Sequence, residues 1–388
     1  MSNQFAASFP DFLASQWDSP CLPNVVLGNE AGDADSIISA LALAYVESIS
    51  NHPMTPIVSV PRDDLCLRRE AVLLMDLAQV DTAKLRYIDD EEVFRKPRFV
   101  TLVDHNRLTI GADWTVTEIV DHHFDEQSHE HVVGRLRDIA FENDKALVGS
   151  TCTLVAERLF TTLQPPYASQ VSIALLGVIL LDTLNMSPAA GKGTQRDQVA
   201  IDELVSKTDW STLEGSHFIK QDGVIDTDKL YESLRKCKFD LGFWKQLSAR
   251  DALRLDYKRF QAPMGQVFGS SSILLDMDSL LTKPNFVEET ISYMNESEIP
   301  LLTVLGLKLI GQSTQRELLL CGSDRNLVNN IADYILTNPA AKKAMQSEEK
   351  ALEKDTGALV VRHFQQGNPK ASRKQVAPIL LNFFSQES

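Results

Sequence analysis

The chain has 388 residues, of which 44% are hydrophobic and 23% are charged, a composition typical of a globular protein large enough for two domains. Its formal net charge of -15 argues against general affinity for nucleic acid or for an anionic membrane. A polyanionic substrate would therefore need a local basic patch or metal ions to hold it.

The five cysteines are scattered along the chain, without the paired spacing of a disulfide framework or a zinc site, which favours a reducing compartment. Residues 1–17 carry no Lys or Arg and no long apolar run, so neither a secretory signal nor a transit peptide is visible. No stretch approaches the length of a membrane span. We therefore expect a cytoplasmic protein that acts as a monomer, with neither nucleic acid nor a membrane as partner.

The first half of the chain alternates between predicted strands and predicted helices. Such alternation indicates an α/β fold with a mostly parallel sheet flanked by helices. The predicted strands cover 25–27, 57–60, 85–88, 98–103 and 116–120. The predicted helices cover 36–48, 69–79, 151–162 and 170–181.

The second half resumes this pattern after a charged, poorly periodic stretch, 206–243, which we interpret as a linker with a possible helix over 229–237. Strands are predicted over 271–275, 301–309, 317–321 and 358–364, and helices over 287–295 and 327–336, with an apolar helix at the end. The chain is therefore expected to have a first domain over 1–205, a linker, and a smaller α/β domain over 244–388.

Acidic residues and histidines follow three of the predicted strands directly. Because open α/β sheets bind ligands at the carboxyl ends of their strands, these side chains are expected to converge on one site. A further acid follows the apolar helix over 170–181. The candidate residues are Asp33 and Asp35 after the first strand, Asp104 after the fourth, Asp121, His122 and His123 after the fifth, and Asp182.

Carboxylate oxygens mixed with imidazole nitrogens suit Mg²⁺, Mn²⁺ or Co²⁺ better than structural zinc. Four carboxylates are too many for one ion and indicate two metals, roughly 3.5 to 4 Å apart. Each motif alone has an ordinary structural interpretation, because Asp33 or Asp35 could cap a helix and Asp104 could lie in a turn. Their joint occurrence favours a metal site, since five of the eight histidines lie between His105 and His131.

These motifs, in this order, resemble the four motifs of the DHH phosphoesterase superfamily. The segment Ser372-Arg373-Lys374-Gln375-Val376 resembles the basic signature of the carboxyl-terminal DHHA2 domain, which family II inorganic pyrophosphatases share with exopolyphosphatases and prune proteins. Across about 25–376 the chain is most similar to the cytosolic exopolyphosphatases of fungi. The resemblance implies a DHH metal-binding catalytic domain over 1–205 and a DHHA2-like substrate-binding domain over 244–388.

The resemblance also implies a role for each matching residue. His123 would face the terminal phosphate as hydrogen-bond donor or general acid, and Arg373 and Lys374 would bind phosphate. Asn29 stands where the pyrophosphatases carry a histidine ligand, and we expect it to contact substrate. The implied metal ligands are Asp33 and Asp104 for one ion and Asp35, Asp104, His122 and Asp182 for the other, with Asp104 bridging both.

The expected function is that of an exopolyphosphatase, in which two divalent ions between the domains activate a water that attacks the terminal phosphorus of linear polyphosphate. Mg²⁺ is the expected ion, with Mn²⁺ or Co²⁺ as alternatives. Two other enzymatic interpretations are an inorganic pyrophosphatase or short-chain polyphosphatase, and a prune-like cyclic nucleotide phosphodiesterase. The non-enzymatic interpretation is an inactive scaffold, but a scaffold has no need for a cluster of mutually repelling carboxylates.

Overall fold

The computed structural model describes residues 7–96, 98–213, 216–310, 313–350 and 357–386. It divides into two compact units, Met1–Lys238 and Phe239–Ser388, called unit 1 and unit 2 below. Within the described ranges, no helix is long and apolar enough to cross a membrane.

In the part of the chain that the structure describes, unit 1 contains one large parallel sheet, formed by six of its strands, and two small sheets of two short strands each. Its strands are β1 (Asn24–Leu27), β2 (Thr55–Val58), β3 (Arg86–Tyr87), β4 (Phe99–Val103), β5 (Thr115–Asp121), β6 (Arg137–Ile139), β7 (Phe141–Glu142), β8 (Lys145–Ala146), β9 (Tyr167–Ala168) and β10 (Thr208–Asp209). Its helices are α1 (Phe9–Asp18), α2 (Ala34–Ile49), α3 (Arg69–Leu77), α4 (Glu91–Phe94), α5 (Thr151–Thr162), α6 (Ser169–Asp182), α7 (Gln195–Lys207) and α8 (Thr227–Lys238).

The main sheet has the strand order β3-β2-β1-β4-β5-β6, and each neighbouring pair is parallel. Alternate side chains along a strand point to opposite faces of the sheet. Val26 and Val120 therefore join the core formed with the long helices, whereas Val25 and Ile119 face a smaller cluster closed by Trp114. The predicted α/β fold with a mostly parallel, helix-flanked sheet is confirmed.

Helix α6 is the most deeply buried long helix of unit 1, because all of Val171–Leu181 is shielded from solvent. A helix that is apolar all round must be surrounded by other elements, and α6 contacts α2, α3, α5, α7 and α8. It therefore delivers Asp182, its last residue, from the interior of the unit.

The stretch interpreted as a linker, 206–243, contains α8. Most of it belongs to unit 1, where Leu230 and Leu234 of α8 are fully buried against the main core. The few apolar residues of α8 are spaced along one helical face among charged residues, so the sequence indicated a possible helix over 229–237 but not its burial. The division between the units falls after Lys238, inside this stretch.

Unit 2 contains a mixed sheet with the order β11-β12-β13-β14-β16-β15, in which β12 and β13 are parallel and the other neighbours antiparallel. Its strands are β11 (Tyr257–Gln261), β12 (Val267–Ile273), β13 (Leu301–Ile310), β14 (Ser313–Gly322), β15 (Ser347–Lys350) and β16 (Val360–Gln366). Its helices are α9 (Leu241–Gln246), α10 (Ala249–Leu255), α11 (Met277–Leu281), α12 (Phe286–Glu296), α13 (Arg325–Thr337), α14 (Pro339–Met345) and α15 (Arg373–Gln386).

A buried carboxylate, Glu317 of β14, ties three elements of unit 2 together. It pairs with Nζ of Lys350 at 2.6 Å and Nε2 of His363 at 3.1 Å, and accepts the N–H of Met277 at 2.9 Å. Burial raises the pKa of Glu317, but these three partners outweigh it and lower the pKa to about 2. Folding therefore favours the ionised form.

We expect Glu317→Gln to weaken the pH dependence of unfolding. Because the folded pKa lies below the ordinary value of 4.5, Glu317 stabilises unit 2 above about pH 4.5, and that stabilisation is lost as the pH falls toward 2. The shift corresponds to on the order of 3 kcal/mol. In urea unfolding followed by circular dichroism, the variant should be less stable than wild type at pH 7 and should change less between pH 5 and 3.

The control is Glu348→Gln, which neutralises an exposed carboxylate on strand β15 of the same sheet. It should follow wild type at every pH. If Glu317→Gln also follows wild type throughout, the Glu317 pairing does not stabilise unit 2.

Candidate metal centre

The predicted ligands gather where the strand order of the main sheet reverses, between β1 and β4. At this point the chain leaves β1 and enters α2 through a close approach that needs a glycine. A Cβ on Gly28 would lie 2.7 Å from the carbonyl oxygen of Ser36. Asp33 caps α2 by accepting the N–H of Ser36 at 3.1 Å, and Asp35 lies in the first helical turn.

Asp104 follows β4 in a left-handed backbone conformation, with φ of 61°, and its side chain is buried. This conformation is uncommon for a residue with a Cβ and is found where neighbouring contacts enforce it. Oδ2 of Asp104 accepts hydrogen bonds from Nδ2 of Asn29 at 2.6 Å and from Oγ of Ser36 at 2.7 Å. Oδ1 lies 3.3 Å from Oγ1 of Thr151. The carboxylate is thus fixed from three segments of the chain.

His122 has the geometry of a metal-binding imidazole. Its Nδ1 lies 3.1 Å from the carbonyl oxygen of Val148, which can only accept a hydrogen bond, so Nδ1 carries the proton. Nε2 faces Oδ1 of Asp104 at 3.5 Å and Oδ2 of Asp35 at 3.8 Å. A backbone acceptor on one ring nitrogen is the usual way in which the other is oriented for a metal.

His123 is oriented by the acid of its own motif. Its Nδ1 lies 2.8 Å from Oδ1 of Asp121, which is fully buried, and 3.6 Å from Oδ1 of Asp104. Nδ2 of Asn106 donates to the other carboxylate oxygen of Asp121 at 2.6 Å. Burial raises the pKa of Asp121, but the hydrogen bond from His123 and the charge of that imidazole outweigh burial, and the pKa is lowered. Asp121 therefore positions His123 and lies behind the metal ligands.

The carboxylate of Asp35 is held at the start of α5. Oδ1 accepts hydrogen bonds from Oγ of Ser150 at 2.7 Å and from the N–H of Cys152 at 2.9 Å. Oδ2 accepts a hydrogen bond from the N–H of Thr151 at 2.8 Å. Free N–H groups at a helix amino terminus stabilise a negative charge. Desolvation and the nearby charge of Asp104 nevertheless raise the pKa of Asp35 to about 6.

Asp182 provides the test of whether this cluster fits a metal ion. Its Oδ2 is buried and has no hydrogen-bond partner among the described residues. Desolvation and the charge of Asp35 raise the pKa of Asp182 well above its usual value. A buried carboxylate oxygen without a partner is costly unless a cation completes it, so the residues present fit a divalent metal.

The charges of the cluster also act on His122. Desolvation lowers its pKa, but the hydrogen bond with Asp104 and the negative charge of Asp35 outweigh that effect and raise the pKa to about 10. Without metal, a proton on the imidazole therefore balances part of the negative charge. A divalent ion would replace that proton with a larger positive charge.

The sequence prediction and the structure agree on most, but not all, of this grouping. Asp104, His122 and His123 offer ligand atoms that lie within 4.8 Å of one another, and Asp35 adjoins them through His122. Asp33 and Asp182 lie outside this tight group, although the charge of Asp33 raises the pKa of both Asp35 and Asp182. Arg373 and Lys374 belong to unit 2, at the start of α15.

Asn29, which is expected to contact substrate, lies beside Asp104. Its amide oxygen accepts the N–H of Ala31 at 2.9 Å, and its amide nitrogen donates to Asp104. Both ends of the amide are therefore engaged within the protein. This geometry favours a role in orienting Asp104 over direct contact with substrate.

Several residues that shape the site were not assigned roles from the sequence. Ser150 is recognisable as a helix cap before an apolar run, but its contact with Asp35 spans 115 positions and leaves no local signal. Lys238 lies in a charged, poorly periodic stretch, yet its positive charge lowers the pKa of Asp182, although burial of Asp182 has the larger, opposite effect. Asn106 follows Asp104 by two positions, and nothing in the sequence indicates that it holds Asp121.

Comparison with known proteins shows what the chain is similar to. Residues 232–383 match the model of the DHHA2 domain. A Schizosaccharomyces pombe protein provisionally named an exopolyphosphatase is 28% identical over 384 residues, covering 93% of this chain and 91% of its own. Exopolyphosphatase PRUNE1 of Rattus norvegicus is 26% identical over 373 residues, covering 92% of this chain and 74% of its own.

Along nearly its whole length the chain is similar to proteins named exopolyphosphatase, and its carboxyl-terminal part matches the DHHA2 domain. A Methanococcus jannaschii structure provisionally described as a family II inorganic pyrophosphatase superimposes with a TM-score of 0.57. That alignment covers 93% of this chain and 99% of the other, at 19% sequence identity, and so bears on the fold alone. The predicted resemblance to DHH phosphoesterases is confirmed, and with it the expectation of a phosphoanhydride hydrolase.

We expect Asp104→Asn to remove metal-dependent stabilisation while leaving the protein folded. The amide keeps the shape of the carboxylate and an acceptor for Ser36, and repulsion with Asp35 falls. In wild type, Mn²⁺ at about a hundred times its Kd should add about 2.7 kcal/mol to the stability of the native state. In a thermal-shift titration of metal-free protein, the variant should show little or no Mn²⁺-dependent rise in Tm.

The control is Asp113→Asn, which removes one exposed carboxylate in the loop before β5. It should respond to Mn²⁺ as wild type does. An Asp104→Asn variant with a normal Mn²⁺ response would exclude Asp104 from the metal centre.

Proposed function

We propose that the chain is an exopolyphosphatase that hydrolyses the terminal phosphate from linear inorganic polyphosphate. The observation that carries this proposal is the buried Asp35–Asp104–His122 cluster, next to an Asp182 oxygen that lacks a partner among the described residues. Its relatives named exopolyphosphatase align with nearly the whole chain, which supports polyphosphate as the substrate class.

The residues that would hold the metals are Asp33, Asp35, Asp104, His122 and Asp182, with Asp104 shared. When bound, two divalent ions would supply a water of lowered pKa and would neutralise charge on the phosphate oxygens. We propose Mg²⁺ as the ion in the cell, because carboxylate oxygens outnumber imidazole nitrogens in this set.

Around that centre, His123 would hold and transfer a proton. Asp121 accepts the hydrogen bond from Nδ1 and stabilises a positive imidazole, which leaves Nε2–H for the phosphate chain. As the phosphoanhydride bond breaks, the bonding electron pair leaves with the bridging oxygen, and the Nε2 proton would neutralise that oxygen. Catalysis in this scheme consists of positioning and electrostatics, with no covalent intermediate.

Arg373 and Lys374 are proposed to bind phosphate, and the surroundings of Arg373 are suited to that role. Its Nη1 donates to the carbonyl oxygens of Asp256 and Ser270 at 3.0 and 3.2 Å, and its Nη2 donates to Oδ1 of Asp256 at 2.6 Å. Nε takes part in no hydrogen bond within the described ranges. The guanidinium is therefore held in one orientation while its Nε edge remains for an oxyanion.

The cysteines support a reducing compartment such as the cytoplasm for this activity. All five are free thiols, three of them buried, so nothing in the fold depends on a disulfide.

One assay separates this proposal from its alternatives. Phosphate release is measured from long-chain polyphosphate, tripolyphosphate and pyrophosphate, and cyclic nucleotide hydrolysis is measured in parallel, each with Mg²⁺ and then Mn²⁺. We expect the highest kcat/KM with a polyphosphate and Mg²⁺. A clear preference for pyrophosphate or a cyclic nucleotide would replace the proposed substrate, and inactivity on every substrate with both ions would favour the scaffold.

We expect Arg373→Ala to lower kcat/KM for polyphosphate by roughly thirtyfold to a thousandfold while leaving Mn²⁺ affinity unchanged. Loss of a charge-assisted contact to the reacting phosphate costs about 2 to 4 kcal/mol of transition-state stabilisation. Arg373→Lys should recover only part of that loss, since an ammonium lacks the planar fork.

Arg325→Ala is the matched control, because Arg325 also occupies the first position of a unit 2 helix and is exposed. It should show wild-type kinetics. If Arg373→Ala loses stability while kcat/KM stays at the wild-type value, Arg373 serves only to join Asp256 and Ser270 to α15.

A further inference from the structure

Asp197, the third residue of α7, is fully buried and lies outside the set of predicted ligands. Its carboxylate accepts the N–H of Gly149 at 3.0 and 2.8 Å and Oγ1 of Thr153 at 2.6 Å. It also accepts the N–H and Oγ1 of Thr194, both at 2.8 Å. The buried Asp197 carboxylate thus connects two chain segments that are about forty residues apart.

The contacts with Gly149 and Thr153 bracket the three residues that hold Asp35. Ser150, Thr151 and Cys152 donate to the Asp35 carboxylate from one side, and the residues before and after them donate to Asp197. The start of α5 is therefore fixed between two carboxylates. A displacement on the Asp197 side would move the donors that orient Asp35.

The same carboxylate lies close to the end of α6. A Cβ on Gly149 would approach Oδ2 of Asp197 at 3.3 Å and Cγ2 of Thr183 at 2.8 Å, so only glycine fits between these two residues. Thr183 directly follows Asp182 and caps α6. The contacts of Asp197 thus adjoin two of the predicted ligand positions, Asp35 and Asp182.

The charge of Asp197 matters as well as its shape. Each of its oxygens accepts more than one hydrogen bond, and every donor is an N–H or a hydroxyl. An amide in its place would offer a single acceptor oxygen and would turn an NH₂ group toward the N–H of Gly149 or Thr194. Two donors facing each other in a buried position repel, so the segment would have to move.

We propose that Asp197 is a positioning residue that keeps the start of α5 in place and thereby orients Asp35 toward the metal ions. The inference rests on the metal centre of the proposed function, but not on the identity of the phosphate substrate. It assigns a metal-affinity role to a residue that contacts no predicted ligand.

The test measures Mn²⁺ affinity by isothermal titration calorimetry on the metal-free, full-length protein, with the Tm of each variant recorded alongside. We expect Asp197→Asn to raise the Kd for Mn²⁺ by about tenfold or more, since loss of a group that orients a ligand costs 10- to 100-fold in metal affinity. The matched control is Asp90→Asn, which neutralises another paired carboxylate of unit 1, bonded to Arg62 and the N–H of Tyr87. It should lower stability without changing the Kd.

A second variant guards against failure of Asp197→Asn to fold. Thr153→Val preserves side-chain size and removes one donor to Asp197, so its Kd should rise in the same direction by a smaller factor, and Thr153→Ser should restore it. A wild-type Kd in folded Asp197→Asn, or in Thr153→Val if Asp197→Asn does not fold, would overturn the proposal.

The outcome for wild type separates this proposal from the proposed function. Saturable Mn²⁺ binding without polyphosphate hydrolysis would overturn only the substrate, and the role of Asp197 would still be decided by the Kd values. Absence of saturable Mn²⁺ binding would overturn both.

Discussion

Repulsion among buried carboxylates is the constraint on which the rest of unit 1 depends. Asp35 and Asp104 are 4% and 2% exposed, and burial together with the charge of Asp104 raises the pKa of Asp35. Burying like charges is unfavourable unless hydrogen bonds, a proton or a cation compensate. The fold supplies the first two, through backbone and hydroxyl donors and through His122. The Asp182 oxygen without a described partner shows where compensation is incomplete and where a divalent ion fits.

The topology explains how so many candidate metal ligands reach one place. The strand order reverses between β1 and β4, so the segments that follow these strands diverge and leave a crevice at their carboxyl ends. Helix α5 points its first turn at Asp35, and the apolar helix α6 carries Asp182 to the same region from the core. The left-handed backbone at Asp104 is a local cost, and the hydrogen bonds from Asn29 and Ser36 hold the side chain in place.

The sequence was sufficient for features that depend on local patterns. The helix predicted over 151–162 has the observed bounds because a capping serine precedes an apolar repeat, and the acids predicted at strand ends lie there because β1, β4 and β5 are β-branched and buried. The burial of α8 could not be predicted, because only Leu230 and Leu234 are buried and the surrounding charges obscure their spacing. The edge strand β11 was missed because its adjacent charged residues, Lys258 and Arg259, interrupt any alternation of apolar and polar residues. The role of Asp197 depends on contacts over more than forty residues, which no local pattern encodes.

We propose that unit 1 holds two divalent ions that share Asp104. The most direct measurement is the stoichiometry and electron paramagnetic resonance spectrum of Mn²⁺ bound to the metal-free, full-length protein. Two ions roughly 3.5 to 4 Å apart and joined by a shared carboxylate should bind at a ratio of two per chain and give an exchange-coupled spectrum. A single bound ion with the six-line spectrum of isolated Mn²⁺, or two ions without coupling, would contradict the account.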